Sequence, residues 1–316
     1  MMINRIISFI VLSVLFQFMR AQDCDIPLTP VVIGPSSGDT FSEVTQYITN
    51  RLHTIVSNSG NLSALGEYQF ALVFDYSIVD KQIVDGAPIK VLYEISSNLQ
   101  IIDSKSRNSF CSFNQTFKGI GINEQKALFN AFQKINTTNE RLHEFIKTGQ
   151  EKITDYYNNN YKQIIKEAQT LAATRKYDNA LYILMMIPKC CQGYEETQTV
   201  MVDIFHKFVN QHCNENLAQA KSAWISSPDK DGAITASVFL SEIYPDAACY
   251  EEAMELANEI KMRMGEEWMF TMKQWDDNVS LEEQRIEAMR EIGTAYAVSH
   301  MQSPLHKSDP KKLDNK

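Results

Sequence analysis

Tyr68-Gln-Phe-Ala-Leu-Val-Phe-Asp-Tyr-Ser-Ile-Val79, Pro88-Ile-Lys-Val-Leu-Tyr-Glu-Ile95, Phe110-Cys-Ser-Phe-Asn-Gln-Thr-Phe117 and Gly119-Ile-Gly121-Ile-Asn-Glu124 succeed one another within a single stretch that runs on to Phe132. Phe70, Leu72 and Phe74 alternate with Ala71, Val73 and Asp75, the period of two that belongs to a strand with one buried face. Ile89, Val91, Tyr93 and Ile95 alternate in the same way with Lys90, Leu92 and Glu94. Phe113 and Phe117 fall opposite Asn114 and Thr116. Asp85-Gly86-Ala-Pro88 supplies a turn between the first two strands. Gly119 and Gly121 read as a sharp strand-to-helix turn, with Asn123 capping a helix over 123–135. Three antiparallel strands with one apolar face need a cover. A second helix can share that task over 40–57, where the capping box Thr40-Phe-Ser-Glu43 precedes Phe41, Val44, Ile48, Leu52 and Ile55 at helical spacing. The spacing therefore predicts an α+β domain over 28–138, a small antiparallel sheet covered by helices.

Beyond Asn139 only helical periodicity remains. Leu142, Ile146, Ile153, Tyr157, Tyr161, Ile164, Ala168 and Leu171 form one apolar stripe. Unbroken over 139–174 it would be about 50 Å long, with Gly149 as a point where it could break. A weak repeat follows: Ala168, Leu171, Tyr177, Ala180-Leu181 and Pro188 precede Cys190-Cys191 and Tyr194, while Ala220, Ala223-Trp224, Ala233, Leu240 and Pro245 precede Cys249-Tyr250. Small residues where two helices touch, then a proline, are the mark of tetratricopeptide-like helical hairpins. An all-α domain is expected over 139–300. Its last part would hold one or two long helices, with Ser280 capping the final one. Leu256, Ile260, Met264, Trp268, Met272 and Trp275 would then share one helical face. Residues 301–316 are rich in Pro, Asp and Lys and read as a disordered tail.

The chain has 316 residues, 44% of them hydrophobic and 10% aromatic, enough for two domains with their own cores. A net charge of −9 argues against a protein that coats nucleic acid. At the N-terminus, Arg5 precedes the apolar run Ile6–Phe16 and Ala21-Gln22, so residues 1–23 resemble a signal peptide; an uncleaved anchor or a buried strand are the alternatives. Membrane contact, if any, is expected only through this segment. Ala21-Gln22-Asp23 before Cys24 is a poor lipobox.

The six cysteines, Cys24, Cys111, Cys190, Cys191, Cys213 and Cys249, contain no CxxC and suggest no zinc site. Alternating helices would place Cys213 and Cys249 at the same end of the array and Cys190-Cys191 at the other. A Cys213–Cys249 disulfide is thus geometrically open to the chain, with two buried thiols as the preferred reading.

Nothing in the sequence nominates a catalytic residue. Gly119-x-Gly121 lacks the third glycine of a dinucleotide loop, whose place is taken by Glu124. His206 and His212 would lie on opposite sides of a helix, a poor metal pair. Asp75, Asp80, Asp85 and Glu94 read as carboxylates on a solvated face. No cofactor and no metal is expected, and the chain reads as a non-enzymatic scaffold. Met264, Trp268, Met272 and Trp275 have two readings, core packing first and an oligomer interface second.

Phe70-Ala-Leu-Val-Phe-Asp-Tyr76, Val79-Asp-Lys-Gln-Ile-Val-Asp-Gly-Ala-Pro88, Tyr93-Glu-Ile95 and Phe117-Lys-Gly-Ile-Gly-Ile-Asn-Glu-Gln-Lys-Ala127 together resemble the α/β domain of the curli-secretion-channel (CsgG) and flagellar-assembly lipoprotein group. Over residues 65–298, with Tyr161–Ala172, Tyr177–Tyr182 and Pro245–Tyr250 added, the arrangement is similar to structural proteins of crAss-like bacteriophages. That resemblance implies a homo-oligomeric ring in the tail or portal vertex of a virion, part of a barrel through which DNA passes. Its partners would be other ring or portal proteins, without sequence-specific nucleic-acid contacts. The alternative is a periplasmic or outer-membrane-associated assembly protein of a Bacteroidota cell, whose helical repeats bind a partner.

Overall fold

The computed structural model describes residues 26–35, 39–58, 69–265 and 268–300. The signal-like segment 1–23, the tail 301–316 and the Thr40 and Phe41 side chains of the expected capping box lie outside the described residues. The protein is α+β, with four strands and eight helices among the described residues. Residues up to Asn158 together with Pro188–Cys191 form one compact unit, and Asn159–Ile187 with the residues from Gln192 onward form a second.

The first unit is built on the sheet β1 (Thr29–Ile33), β2 (Phe70–Val84), β3 (Lys90–Asp103) and β4 (Ser109–Gly121), in spatial order β1-β2-β3-β4. β2, β3 and β4 are antiparallel neighbours, as the alternation predicts. β1 is an addition: it lies parallel to β2, pairing Thr29–Ile33 with Ala71–Asp75, so the sheet is mixed. Five residues including Pro30 carry too little alternation to show as a strand in sequence.

Phe70, Leu72, Phe74, Tyr93, Ile95, Leu99, Ile101 and Phe117 are buried on one face of the sheet. That face is covered by α1 (Asp39–Asn58), α2 (Glu124–Phe132) and the first half of α3 (Glu140–Ala173). Phe132 of α2 meets Phe74 and Tyr76 edge-on, with centroids 6.1 and 5.0 Å apart. Phe145 of α3 sits 6.1 Å from Phe113, and Tyr157 6.0 Å from Phe70. The other face carries cross-strand polar rows, Asp75–Asn98–Asn114 and Ser77–Ser96–Thr116, as solvent requires.

Gly149 does not break α3, which runs as one 34-residue helix. A Cβ there would lie 2.4 Å from Ile101 Cδ1, so the glycine marks where the helix touches the sheet. Gly119 and Gly121 likewise belong to β4 itself, and neither has a positive φ. A Cβ on Gly119 would meet Ala127 O at 2.0 Å and one on Gly121 would meet Ala127 N at 2.4 Å. They let α2 settle directly on the strand, a different role from the expected turn. Asn123 caps α2 as predicted, its Oδ1 accepting from Lys126 N at 2.8 Å.

The second unit contains α4 (Tyr177–Met185), α5 (Tyr194–Ser226), α6 (Lys230–Leu240), α7 (Tyr250–Met264) and α8 (Leu281–His300). The short helices α4 and α6 each precede a proline turn, at Pro188 and Pro245, and both pack on the single 33-residue helix α5. One buried stripe along α5 (Met201, Phe205, Val209, Cys213, Leu217, Trp224) therefore serves both hairpins. Ser280 caps α8, its hydroxyl accepting from Glu283 N at 3.1 Å.

The apolar series from Leu256 to Trp275 does not continue as one helical face. α7 ends at Met264 because Gly265 takes φ +77° and ψ −168°, a conformation reserved for glycine. Residues 268–276 follow without helix.

Candidate interaction surfaces

The sequence-derived cysteine pair is brought together: Cys213 in α5 and Cys249 at the cap of α7 form a disulfide, Cα to Cα 6.0 Å, where two separate buried thiols were the preferred reading. The bridge closes a separation of 36 residues. Cys190 is also disulfide-bonded. Cys111 and Cys191 are free thiols, and burial pushes both up from the ordinary thiol value, Cys191 to about 11. Such thiols are poor nucleophiles at neutral pH.

Met264, Trp268, Met272 and Trp275 are not presented together. Met272 is buried, and Trp275 donates its indole N–H to Asp246 Oδ1 at 3.1 Å. Trp268 lies against Phe270, and Met264 is half-buried at the end of α7. Asp246 also accepts from Arg285 Nε at 2.5 Å and from Arg285 Nη2 at 3.0 Å, so one carboxylate ties the segment after α7 to α8. Burial alone would raise the Asp246 carboxyl, but the hydrogen bonds from Arg285 and Trp275 outweigh it and hold it below the usual carboxylate value. His206 and His212 do not converge: His206 lies beside Phe205 and His212 stacks on Phe208 at 4.2 Å.

The exposed chemistry that sequence reasoning missed is apolar. Val79, Ile83, Ile89 and Ile122 are between 59% and 70% exposed, and Ile120 is exposed beside them. All five sit at the end of the sheet that holds the β2–β3 hairpin and the last residues of β4, but on both of its faces: Ile83 shares a row with Val91 and Gly121, whereas Ile120 shares the alternate row with Leu92 and Gln82. The hairpin carries Asp80 and Asp85 among these apolar groups. Lys81 is engaged by Glu124 across the sheet, with Tyr93 donating to the same carboxylate at 2.9 Å. A strand that is half solvated looks alike in sequence whether its outward apolar residues meet water or a partner, so periodicity could not single these out.

The second feature is the β4 edge. Gln115 O faces β3, where Ser97 Oγ donates to it at 2.9 Å. The alternate residues face outward. Of these, Lys118 O accepts from Lys134 Nζ at 2.6 Å and Ile120 O from Asn130 Nδ2 at 2.8 Å, so side chains from α2 and the turn after it cap this end of the edge. Ser112, Asn114 and Thr116 have no neighbouring strand on that side among the described residues. Beside them an open groove of about 610 Å³ runs between β4 and α3, with Phe110, Phe113 and Phe145 in its wall and Arg141, Glu144 and Lys152 along the helix.

No helix among the described residues is long and apolar enough to cross a membrane. No family model and no curated protein matches the chain. Several solved structures are distantly similar, two of them as follows. One is a PelC dodecamer from Paraburkholderia phytofirmans, 9% identical, matched over 40% of this chain and 86% of that one with a TM-score of 0.25. The other is a minor lipoprotein from Acinetobacter baumannii, 14% identical, matched over 40% and 95% with a TM-score of 0.24. Likenesses at that level fix neither fold nor function.

Proposed function

We propose that this chain is a non-enzymatic structural subunit that self-associates into a ring, with its sheet-bearing unit as the contact layer. The observation that carries the proposal is the exposure of Val79, Ile83, Ile89, Ile120 and Ile122, which surround one end of the sheet on both faces. Several branched aliphatic side chains held in water around one sheet end cost solvation free energy that a partner surface wrapping that end would remove. No cofactor, metal or substrate enters this reading.

Two settings share that behaviour. The Cys213–Cys249 bridge favours the cell envelope of a Bacteroidota cell, since structural disulfides persist in oxidising compartments. The signal-like residues 1–23 agree with it. There the helical unit would bind a partner in an envelope assembly. The virion setting is the tail or portal vertex of a crAss-like phage, with other ring or portal proteins as neighbours. It rests on the resemblance of residues 65–298.

Size-exclusion chromatography with light scattering tests the common part. A mass several times 36.1 kDa is expected, and a strict monomer at high concentration overturns the ring. Mass spectrometry of purified virions against envelope fractions then decides the setting, and an N-terminus near Gln22 would establish export.

A further inference from the structure

β2 and β4 leave complementary strand edges on one molecule. β1 pairs only with Ala71–Asp75 of β2, so Ser77–Val84 has no neighbouring strand on that side among the described residues. At the opposite flank, β4 is capped at Lys118 and Ile120 but leaves Ser112–Thr116 uncovered beside the groove. Exposed edges are normally shortened, charged or covered, because they template pairing with another chain. Here one end of β4 is covered and the groove end is not.

The two edges differ in chemistry as well as place. The β2 edge is an apolar hairpin arm with Val79 and Ile83 outward and with Asp80 and Asp85, its Lys81 already held by Glu124. The β4 edge faces a groove with an aromatic wall and with Arg141 and Lys152 on its rim, against Glu144 alone. For a chain of net charge −9, self-association needs such a local meeting of opposite charges.

We infer that the Ser77–Val84 edge of one copy adds as a strand to the Ser112–Thr116 edge of the next, continuing the sheet from subunit to subunit. The contact joins unlike surfaces, so it is heterologous and propagates, closing into a ring where the rotation allows. Main-chain hydrogen bonds would supply the pairing, and the aromatic groove would receive Ile83, which lies on the same face of the sheet as Phe113. This inference rests on the self-association proposed above and specifies its site.

The experiment is directed cross-linking of the full-length chain. In a Cys111→Ser background, Gln82→Cys and Thr116→Cys, exposed positions on the same face of the sheet, are introduced together and separately, and mild oxidation is followed on non-reducing gels. The double variant is expected to give a ladder of covalent oligomers, with the single variants staying largely at monomer mass. In parallel, Val79→Asp with Ile83→Asp, at exposed positions that leave the core intact, is expected to raise the concentration for half-assembly about tenfold or more, because each places a carboxylate in an apolar contact. Asn114→Pro, checked for folding by circular dichroism, should weaken assembly by removing an edge donor. If the wild-type chain is oligomeric while the double variant gives no ladder and the Asp variant assembles normally, the strand-edge contact is overturned and self-association stands. If the wild-type chain is monomeric throughout, both are overturned.

Discussion

Asp103 is 4% exposed and ends β3, yet it is a carboxylate. Its Oδ1 accepts from Lys105 N at 2.8 Å and Ser106 N at 2.9 Å, while Tyr157 donates its hydroxyl to Oδ2 at 3.1 Å. Burial, then the neighbouring carboxylate, raises the Tyr157 phenol far above its ordinary value, so it remains a donor. The site is structural: one buried acid organises the β3–β4 turn and anchors α3 over the sheet. Tyr157→Phe leaves Oδ2 unpartnered and should cost about 1–2 kcal/mol, while Asp103→Ala frees three donors, of which only the Tyr157 hydroxyl is buried, and should cost about 2–3 kcal/mol. Denaturant unfolding of the two variants measures the difference. Asp246 makes a pH-dependent contribution. Its carboxyl titrates lower in the folded chain than its ordinary 3.8, so its contribution is complete above that pH and is lost as pH falls through the folded value. Asp246→Asn should therefore flatten the acid limb of a stability-versus-pH curve, and an unchanged limb would show that other carboxylates dominate it.

At the scale of elements, the contact of α2 with β4 depends on two missing side chains. Gly119→Ala would drive a Cβ into the Ala127 carbonyl, backbone against backbone, with no flexible atom to yield. We expect a loss of about 2–3 kcal/mol, the cost of overpacking a tight core, read as a fall in melting temperature. Gly86→Ala, where a Cβ would meet only Pro88 O at 3.5 Å, is the control and should change little. The strands, the capped helices and the hairpins were legible in sequence because each buries one face and so repeats its own period. Asn123 and Ser280 could be read as caps because a cap is a local bond between near neighbours. The roles of Gly119, Gly121 and Gly149 were not legible, since a glycine needed for a close approach looks the same as one needed for a turn. The end of α7 was hidden for a related reason: the apolar spacing runs straight through Gly265 to Trp275.

For the whole molecule, each of the two compact units buries residues of its own, and two unfolding transitions are expected. The Cys213–Cys249 bridge lies wholly in the second unit and closes a loop whose entropy is worth about 4 kcal/mol in the simplest chain model. Calorimetry of the Cys213→Ser/Cys249→Ser variant should show one transition lowered and the other unmoved. A uniform shift of both would mean that the units unfold together.

Composition and periodicity by themselves determined the class of the protein, an aromatic-faced sheet covered by helices and followed by helical hairpins, because secondary structure answers to near neighbours and to one buried face at a time. They also brought Cys213 and Cys249 to one end of the helical array. Only the tertiary structure decided that these two are bonded, that β1 completes the sheet, and that Trp275 turns toward Asp246. It alone shows which strand edges are covered and which apolar residues stay in water. Those are properties of pairs far apart in the chain, and no local period encodes them.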